Sequence, residues 1–384
     1  MLKFLKYTKI FFDFKNRKNC MEDIVFFSES NSYKPFLFPL IEDLLKNNFK
    51  LIYLTIDPED SILLKPPPNL TAYYIPDGLF ISITFAFLKA KILITTMPDL
   101  NKFYLKRSIY KVHYVYLQHS LFSTHMIYNE GAFDYFDTIL CAGNHHIEEI
   151  REWEFINNLP KKNLYKHGYI PLDKIVEKKE TFFKSNKLDK LNKSNKYISI
   201  LLAPSWGQNG IIHHGAERLI KALLKEEYKI TLRLHPQSYK TSKTQVKSLE
   251  EKFLKFENFF IDTDKTTYDI FYNTDVLITD WSGISLEFFF AFEKPIIFLD
   301  TQKKINNRRF RELKSIPVEI KIREKIGIIV NLKDIKNIKN SIEKVMKIKL
   351  SNHYIKKLRE EYIFHFGTSI KEGTKIIKKI YDQL

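Results

Sequence analysis

Short runs of apolar and β-branched residues alternate along this chain with longer segments in which apolar residues dominate or recur at helical spacing. The clearest example is residues 276–300, VLITDWSGISLEFFFAFEKPIIFLD. Residues 276–279 form a strand-length run and residues 280–283 break it; a helix-length run at 285–292 and a second strand-length run at 295–299 follow. This pattern predicts a strand, a turn, a helix and a second strand, which together form a βαβ unit.

The same alternation extends over most of the chain. We predict strands at residues 24–27, 51–55, 72–75, 91–95, 112–117, 138–142, 197–202, 231–234, 259–262, 276–279, 295–299 and 327–330. We predict helices at residues 39–47, 79–89, 145–154, 217–224, 247–256, 285–292, 332–347 and 369–383. Strands that alternate with helices favour parallel sheets covered on both faces. We therefore predict an α/β protein with two Rossmann-like domains facing a cleft.

The composition changes at residues 177–196, where the sequence EKKETFFKSNKLDKLNKSNK is rich in lysine and poor in aliphatic residues. We interpret this stretch as the linker between the two domains or as a peripheral loop. The first Rossmann-like domain is then expected at residues 21–176 and the second at residues 197–350. A basic amphipathic segment at residues 1–20 precedes them, and C-terminal helices at residues 351–384 follow.

The formal net charge of +17 indicates an anionic partner, which is nucleic acid, anionic lipid or a phosphorylated substrate. The sequence has neither a zinc-finger spacing nor an aromatic-glycine RNA-binding pattern, so we do not expect nucleic acid as a partner. The two cysteines, Cys20 and Cys141, lie far apart and indicate a reducing compartment.

The sequence predicts contact with a membrane only at its surface. No uninterrupted apolar run reaches the roughly 18 residues that a membrane span needs, because the best candidate, residues 79–96, contains Lys89 and Lys91. Residues 1–19 interleave lysines with Phe and Leu, which suits either an interfacial helix on anionic lipid or a helix packed on the protein. Since no signal peptide is apparent, we expect a cytoplasmic protein, peripheral on the inner face of the cell membrane.

Three turns in the second half follow predicted strands and carry polar residues. They are Ala203-Pro204-Ser205-Trp206-Gly207, Arg233-Leu234-His235-Pro236 and Asp280-Trp281-Ser282-Gly283. Parallel strands bring such turns to one edge of the sheet, where ligands gather. Arg233 has a fork of donors suited to phosphate oxygens, and His235 offers one more donor. The Ser205 and Ser282 hydroxyls complete a cradle for a diphosphate, and Trp206 offers a stacking surface for a base.

The start of the helix predicted at residues 285–292 is a candidate anion site. Unpaired backbone N–H groups converge at a helix N-terminus, and Gly283 allows close approach of a ligand. Ser282 and Ser285 lie in this first turn, and Glu287, one turn further in, is placed to accept from a ribose hydroxyl. The structural alternative is that Ser282 is a plain N-cap of the helix.

In the first half the corresponding candidate is His119, in Gln118-His119-Ser120 directly after a predicted strand. A histidine that titrates near neutrality is an efficient base for an attacking hydroxyl. The pair His145-His146 suggests a metal, but adjacent histidines point in different directions and no carboxylate lies at ligand spacing. We therefore expect neither a metal nor a cofactor. The P-loop, Gly-x-Gly-x-x-Gly and Gly-x-Ser-x-Gly motifs are also missing.

Together these elements resemble the CDP-glycerol glycerophosphotransferases, the teichoic-acid and capsule-polymer enzymes with a GT-B fold. The resemblance covers about residues 112–299 and rests on Gln118-His119-Ser120, Gly168-Tyr169-Ile170-Pro171, Ala203-Pro204-Ser205-Trp206, Arg233-Leu234-His235-Pro236, Ile278-Thr279-Asp280-Trp281-Ser282-Gly283 and Lys294-Pro295-Ile296-Ile297-Phe298. Ser120, Gly207 and the Trp281-Ser282-Gly283 stretch depart from the usual pattern, which leaves the transferred group open between glycerol phosphate, ribitol phosphate and a sugar.

The resemblance implies a transferase of EC 2.7.8 type. The first domain would hold the acceptor, with His119 as the base. In the second, nucleotide-donor domain, His235 and Arg233 would hold the diphosphate of a CDP-activated alditol. Asp280, Ser282 and Gly283 would line the CDP site. The acceptor hydroxyl would belong to a lipid-linked or polymer saccharide, and CMP would be released.

Two alternatives stay open at this point. One is a GT-B glycosyltransferase that uses a nucleotide sugar in capsule or lipooligosaccharide synthesis. Such enzymes often carry two glutamates with seven residues between them, whereas Pro295 stands at that spacing from Glu287. The other is a non-catalytic basic protein that binds nucleic acid.

Overall fold

A computed structural model describes residues 13–14, 16–17, 20–76, 78–184, 197–264 and 268–384. The chain forms two compact units. The first contains the residues up to 173 together with 307–315 and 362–384, and the second contains residues 174–306 and 316–361. The chain therefore crosses between the units at four points, and the final helix belongs to the first unit.

This division differs from the one expected from the sequence, in which the chain passes between the domains once, at residues 177–196. Residues 177–184 are helical, as the end of a helix at Ile170–Lys184, and residues 185–196 lie outside the described part of the chain. The remaining crossings leave a short segment, residues 307–315, in the first unit.

In the described part of the first unit, seven parallel strands form one sheet in the order β3-β2-β1-β4-β5-β6-β7. The strands are β1 Ile24–Ser28, β2 Leu51–Thr55, β3 Leu70–Tyr74, β4 Ile92–Thr95, β5 His113–Leu117, β6 Thr138–Cys141 and β7 Asn163–Lys166. In the register, Val25 lies beside Ile52 on one side and beside Leu93 on the other. β7 was not predicted, because Asn163 and Lys166 are exposed and leave no apolar run.

In the described part of the second unit, six parallel strands form a sheet in the order β10-β9-β8-β11-β12-β13. The strands are β8 Ser199–Leu202, β9 Lys229–Leu232, β10 Phe259–Ile261, β11 Val276–Thr279, β12 Ile296–Asp300 and β13 Ile328–Asn331. All of them were predicted to within two residues. The prediction of two Rossmann-like α/β domains is confirmed.

Helices connect most of the strands and cover the sheets. They are α1 Lys34–Lys46, α2 Leu79–Ala86, α3 Asn144–Ile156, α4 Ile170–Lys184, α5 Ile211–His214, α6 Ala216–Lys225, α7 Ser238–Thr241, α8 Lys243–Phe253, α9 Ile284–Phe292, α10 Val318–Lys321, α11 Arg323–Ile326, α12 Ile338–Met346, α13 Asn352–Tyr362 and α14 Ser369–Gln383. Among these described helices, none is long and apolar enough to cross a bilayer.

The cores follow from the twofold periodicity of the strands. In β1, Val25 and Phe27 point into one core while Ile24 and Phe26 point into another, so the first sheet is buried on both faces. The second of these cores includes Ile376 and Ile377 of α14, which explains why the C-terminal helix belongs to the first unit.

In the second unit, helix α9 is buried on every side, including Phe288, Phe289 and Phe290. A helix that is apolar all round is stable only inside a protein. Its burial fixes the position of its N-terminus, which follows β11 directly.

Residues from the predicted basic N-terminal segment are described only in part. Phe14 is buried in the first unit's core, and the Arg17 guanidinium lies 3.8 Å from its ring and 2.9 Å from the Asp23 carboxylate. Phe14 and Arg17 are therefore packed on the protein. Residues 1–12 lie outside the described chain.

Candidate functional site

The polar turns predicted in the second half follow β8, β9 and β11, which are neighbours in the sheet. Because these strands are parallel, their carboxyl ends share one edge. The sequence placed Arg233 within a strand at residues 231–234, but β9 ends at Leu232, so both Arg233 and His235 lie in the turn. The structure thus brings the predicted residues of the second half to one edge of its sheet.

The Asp280 carboxylate, only 1% exposed, organises two of these turns. Its Oδ1 accepts from the backbone N–H of Ser205 at 2.7 Å and of Trp281 at 2.8 Å, and its Oδ2 accepts from the N–H of Ile211 at 2.8 Å. A carboxylate with these partners has little capacity left for a ligand. Asp280 therefore fixes the loop after β8 against the end of β11.

The first turn of α9 presents backbone donors. Ser282, Gly283 and Ile284 are partly exposed, and their N–H groups donate to no other residue in the described part of the chain. The Ser282 side chain does not cap the helix, whose N-cap residue is Gly283, so the plain N-cap interpretation of Ser282 is not supported. Ser285 is buried, and its Oγ donates to the Ser282 carbonyl at 2.9 Å. The helix start thus has the donors that an anion requires.

Two residues that the sequence did not single out contact Arg233. They are Asp262 and Tyr268, and Tyr268 also contacts Glu287. The Arg233 guanidinium donates to Asp262 at 3.1 Å, and it lies 5.7 Å from the Tyr268 ring. Tyr268 is hydrogen-bonded to Glu287, and burial together with that carboxylate holds the pKa of the phenol well above its usual range. Asp262 uses one donor of the guanidinium fork and thereby orients the others.

Trp206 and His235 lie beside each other, with ring centroids 6.0 Å apart and planes tilted by 34°. Exposed His235 accepts at Nδ1 from the Gln237 backbone N–H, so its neutral form carries the proton on Nε2. A donor on Nε2 suits a phosphate oxygen. The Lys304 ammonium lies 3.4 Å from the centroid of the Trp206 ring.

Sequence reasoning missed Lys304 and Arg323. Lys304 follows β12, so the same strand-end rule would have found it. Arg323 lies 4.0 Å over the Trp281 ring and donates to the Leu299 carbonyl at 3.1 Å. The Trp281 indole N–H in turn donates to the Thr301 carbonyl at 3.0 Å. Trp281 is therefore structural in the described protein.

In the first unit, His119 follows β5 and lies among aromatic side chains. The ring centroids of Tyr33, Phe36 and Tyr128 lie 5.5, 6.1 and 5.7 Å from that of His119. The Tyr116 hydroxyl is 2.9 Å from Nδ1 and the Tyr128 hydroxyl is 3.4 Å from Nε2. The longer Tyr128 contact is the weaker one.

The prediction that His119 titrates near neutrality is wrong. Its ring is enclosed, and this desolvation lowers its pKa to about 4 despite a hydrogen bond to the Thr96 backbone. The imidazole is therefore neutral at pH 7, which is the form that can accept a proton. The sequence could not show this shift, because Tyr33 and Phe36 come from a distant part of the chain and reach His119 only after folding.

The loop after His119 is held by the first turns of α3. His145 and His146 place their Nε2 atoms 2.9 Å from the carbonyls of Leu121 and Phe122. The two imidazole centroids are 4.0 Å apart, so the expectation that these side chains point in different directions is wrong. Within the described chain, no group of three or more His, Cys, Asp or Glu residues is arranged to hold a metal ion.

Glu149, which is 2% exposed, completes this attachment of the loop. Its Oε2 accepts from the backbone N–H of Thr124 at 2.6 Å and from the Thr124 hydroxyl at 2.7 Å. Gln118, also 2% exposed, has an amide without a hydrogen-bond partner among the described residues. Gln118 directly precedes His119, and Glu149 contacts the loop that follows His119. Both residues lie in the first unit.

Solved structures with a similar fold include the wall teichoic acid polymerase TagF, with a TM-score of 0.60 at 16% identity over 100% of this chain and 95% of that chain. The UDP-GlcNAc 2-epimerase of Methanocaldococcus jannaschii has a TM-score of 0.57 at 14% identity over 93% of this chain and 99% of that chain. The Neisseria meningitidis UDP-GlcNAc 2-epimerase has a TM-score of 0.52 at 12% identity, over 94% and 100%. These similarities confirm the GT-B-like fold.

No curated protein sequence matches the chain. The profile of the family described as CDP-Glycerol:Poly(glycerophosphate) glycerophosphotransferase, however, matches residues 80–354, which is more than half of the chain. The match includes His119, the three strand-end turns of the second unit and helix α9. The chain belongs to the CDP-glycerol:poly(glycerophosphate) glycerophosphotransferase family and is a transferase of that type.

Proposed function

We propose that the enzyme moves glycerol phosphate, or a closely related alditol phosphate, from its CDP-activated form to a hydroxyl group of a lipid-linked or polymer saccharide. The second unit binds the donor through the edge formed by the turns after β8, β9 and β11. The first unit binds the acceptor hydroxyl at His119. The observation that carries the proposal is the partly exposed first turn of α9, whose donors have no partner within the described chain.

The donor's diphosphate matches the groups at this edge. Ser282, Gly283 and Ile284 supply backbone N–H groups at the positive end of α9. Arg233, oriented by Asp262, supplies a positive charge and a fork of donors, and His235 supplies an Nε2–H donor. Donors of this kind stabilise charge that grows on phosphate during reaction, each by on the order of 3–4 kcal/mol in comparable sites.

The chemical step is an in-line displacement at the β-phosphorus of the CDP-activated alditol. A new P–O bond forms to the acceptor oxygen, the P–O bond to the CMP moiety breaks, and CMP leaves with the bonding electron pair. The proton of the acceptor hydroxyl passes to His119. Arg233 and His235 meet the negative charge that develops on the departing phosphate.

The environment of His119 suits this role in its resting form. Since burial lowers its pKa to about 4, almost every molecule holds the neutral imidazole at pH 7. The same burial makes the ring a weak base, so the imidazolium formed during reaction needs compensation. The Thr96 backbone hydrogen bond favours that charged form.

The decisive experiment supplies purified protein with CDP-glycerol, CDP-ribitol and UDP-sugars in parallel and measures release of CMP and UDP. We expect CMP from a CDP-alditol. Release of UDP alone would replace the phosphotransferase by a glycosyltransferase. The variant His119→Ala is expected to lose turnover while keeping its folded circular dichroism spectrum. His353→Ala, which removes an exposed histidine in α13, is the matched control and is expected to stay active.

We further propose that the enzyme works at the inner, cytoplasmic face of the cell membrane, where a lipid-linked acceptor is available. The support is the overall charge of +17 and the lysines Lys3, Lys6 and Lys9 among apolar residues. Co-sedimentation with vesicles tests this. We expect binding to vesicles that contain anionic lipid, weakened by salt and by removal of residues 1–12, and no binding to neutral vesicles.

A further inference from the structure

Among the described lysines of the second unit, Lys304 is notable for its neighbours. Its ammonium lies 3.4 Å from the centroid of the Trp206 ring, close to the turn after β8. Its charge also interacts with the buried carboxylate of Asp280 at the end of β11. Lys304 itself follows β12, so the residue belongs to the same edge of the sheet as the proposed donor-binding turns.

The ammonium of Lys304 has no hydrogen-bond acceptor and no carboxylate within 4.0 Å among the described residues. Lys294 provides the contrast in the same unit. Its ammonium donates to the carbonyls of Phe271, Tyr272 and Thr274 at 3.1, 3.0 and 2.6 Å, which makes it a structural residue. A mostly enclosed ammonium whose only close partner is an aromatic face lacks the acceptors that its three N–H groups require.

We propose that Lys304 is a further donor-binding residue of this enzyme, whose ammonium leaves the Trp206 ring to pair with the diphosphate of the nucleotide donor. The inference rests on the proposed function, because it takes the edge of the second sheet as the donor site. The movement exposes one face of Trp206, which then becomes available for the cytosine ring. In the donor-free protein, the Lys304 ammonium thus covers the face of the indole on which the cytosine ring would stack.

The charges around Lys304 support this movement of its ammonium from the Trp206 ring to the diphosphate. Burial lowers the pKa of Lys304 to about 7, and the Asp280 carboxylate opposes that shift. The other charged or titratable groups at this edge are His235, beside Trp206, and Arg323, whose pKa burial lowers while Asp300 and Asp280 oppose that shift. A phosphate next to Lys304 favours its charged form, so binding of the donor near pH 7 takes up a proton.

The test uses CDP as the probe and compares Lys304→Met with Lys303→Met, a matched control at the exposed neighbouring lysine. Calorimetry in two buffers of different ionisation enthalpy gives the affinity and the number of protons taken up. We expect Lys304→Met to bind CDP at least tenfold more weakly and to abolish proton uptake. Lys303→Met is expected to match the unaltered protein in both. In steady-state assays with CDP-glycerol, Lys304→Met is expected to raise KM more than it lowers kcat.

The intrinsic fluorescence of the protein gives a second readout. CDP is expected to change the emission of the unaltered protein, and Trp206→Phe is expected to remove most of that change. Equal CDP affinity and equal proton uptake in Lys304→Met and the unaltered protein would overturn the inference and leave the proposed function standing. Should Lys304→Met fail to fold, CDP binding to the unaltered protein without proton uptake near pH 7 would overturn it as well. Absence of both CDP binding and CDP-glycerol turnover in the unaltered protein would overturn the proposed function and this inference with it.

Discussion

Removal of the Asp280 carboxylate is the perturbation whose effect the structure defines best. Three backbone N–H groups, those of Ser205, Ile211 and Trp281, donate to it at 2.7–2.8 Å inside the protein. In Asp280→Ala all three lose their acceptor and stay away from water. Each buried N–H left unpaired costs about 1–3 kcal/mol, so with partial relaxation we expect a loss of about 3–5 kcal/mol in the free energy of unfolding.

Asp280→Asn separates the charge from the geometry. The amide oxygen is able to keep the bonds from Ser205 and Trp281, whereas the amide NH2 faces the N–H of Ile211 as a second donor. We therefore expect a smaller loss, about 2–3 kcal/mol. Asp334→Asn, at an exposed carboxylate in the same unit, is the matched control and should change stability by less than about 0.5 kcal/mol.

The assay is urea unfolding monitored by tryptophan fluorescence in a Trp153→Phe background. Of the three tryptophans, Trp153 belongs to the first unit, and the remaining two, Trp206 and Trp281, report on the second unit alone. An Asp280→Ala protein that unfolds within about 1 kcal/mol of its parent would refute the argument that this carboxylate holds the two turns together. The same variant should also raise KM for CDP-glycerol, because the turns after β8 and β11 lose their common support.

Further predictions concern the first unit. The pKa values of fully buried His146 and His167 are lowered to about 4 by desolvation, so the unfolded chain binds their protons first as the pH falls below about 6.5. Stability should therefore fall between pH 6.5 and pH 4, by at most about 3 kcal/mol per histidine, and His167→Gln should flatten part of this loss in urea unfolding followed across that range. Gly373→Ala should destabilise the protein by about 1–3 kcal/mol although alanine favours helices, since a Cβ at this position meets His167 Nε2 at 2.7 Å and Leu40 Cδ1 at 3.0 Å. An unchanged or raised melting temperature for Gly373→Ala would contradict that packing argument.

The sequence was sufficient for the fold because strands buried on both faces read as unbroken apolar runs, as in β11 and β12. It failed at β7, an edge strand in which Asn163 and Lys166 are exposed, and at α4, whose lysines resembled a linker. Both misses have the same cause. An element that buries only one side carries a weak apolar pattern, and its identity depends on neighbours that the local sequence does not contain.

The location of the candidate site followed from topology, but the part that each residue plays there did not. The strand-end rule placed Asp280 and Ser282 at the same edge, yet one is 1% exposed and bound to three N–H groups while the other is partly open. The rule also applies to Lys304, but the sequence does not distinguish it from the neighbouring Lys303 in the same loop. The distance of 3.4 Å to Trp206 is what distinguishes it, and that distance exists only after folding.

The proposed diphosphate site has a buried carboxylate beside it, and an unpaired negative charge there would oppose an anionic ligand. The Asp280 carboxylate is instead paired with three backbone N–H groups, whereas the N–H groups of Ser282, Gly283 and Ile284 have no partner in the described part of the chain. Burial lowers the pKa of Lys304 and of Arg323; Asp280 opposes that shift at Lys304, and Asp300 together with Asp280 opposes it at Arg323. The carboxylate therefore keeps positive charge at this edge that burial would otherwise weaken. A single acid thus fixes the turns and maintains the cations, which is why its loss should affect stability and donor affinity together.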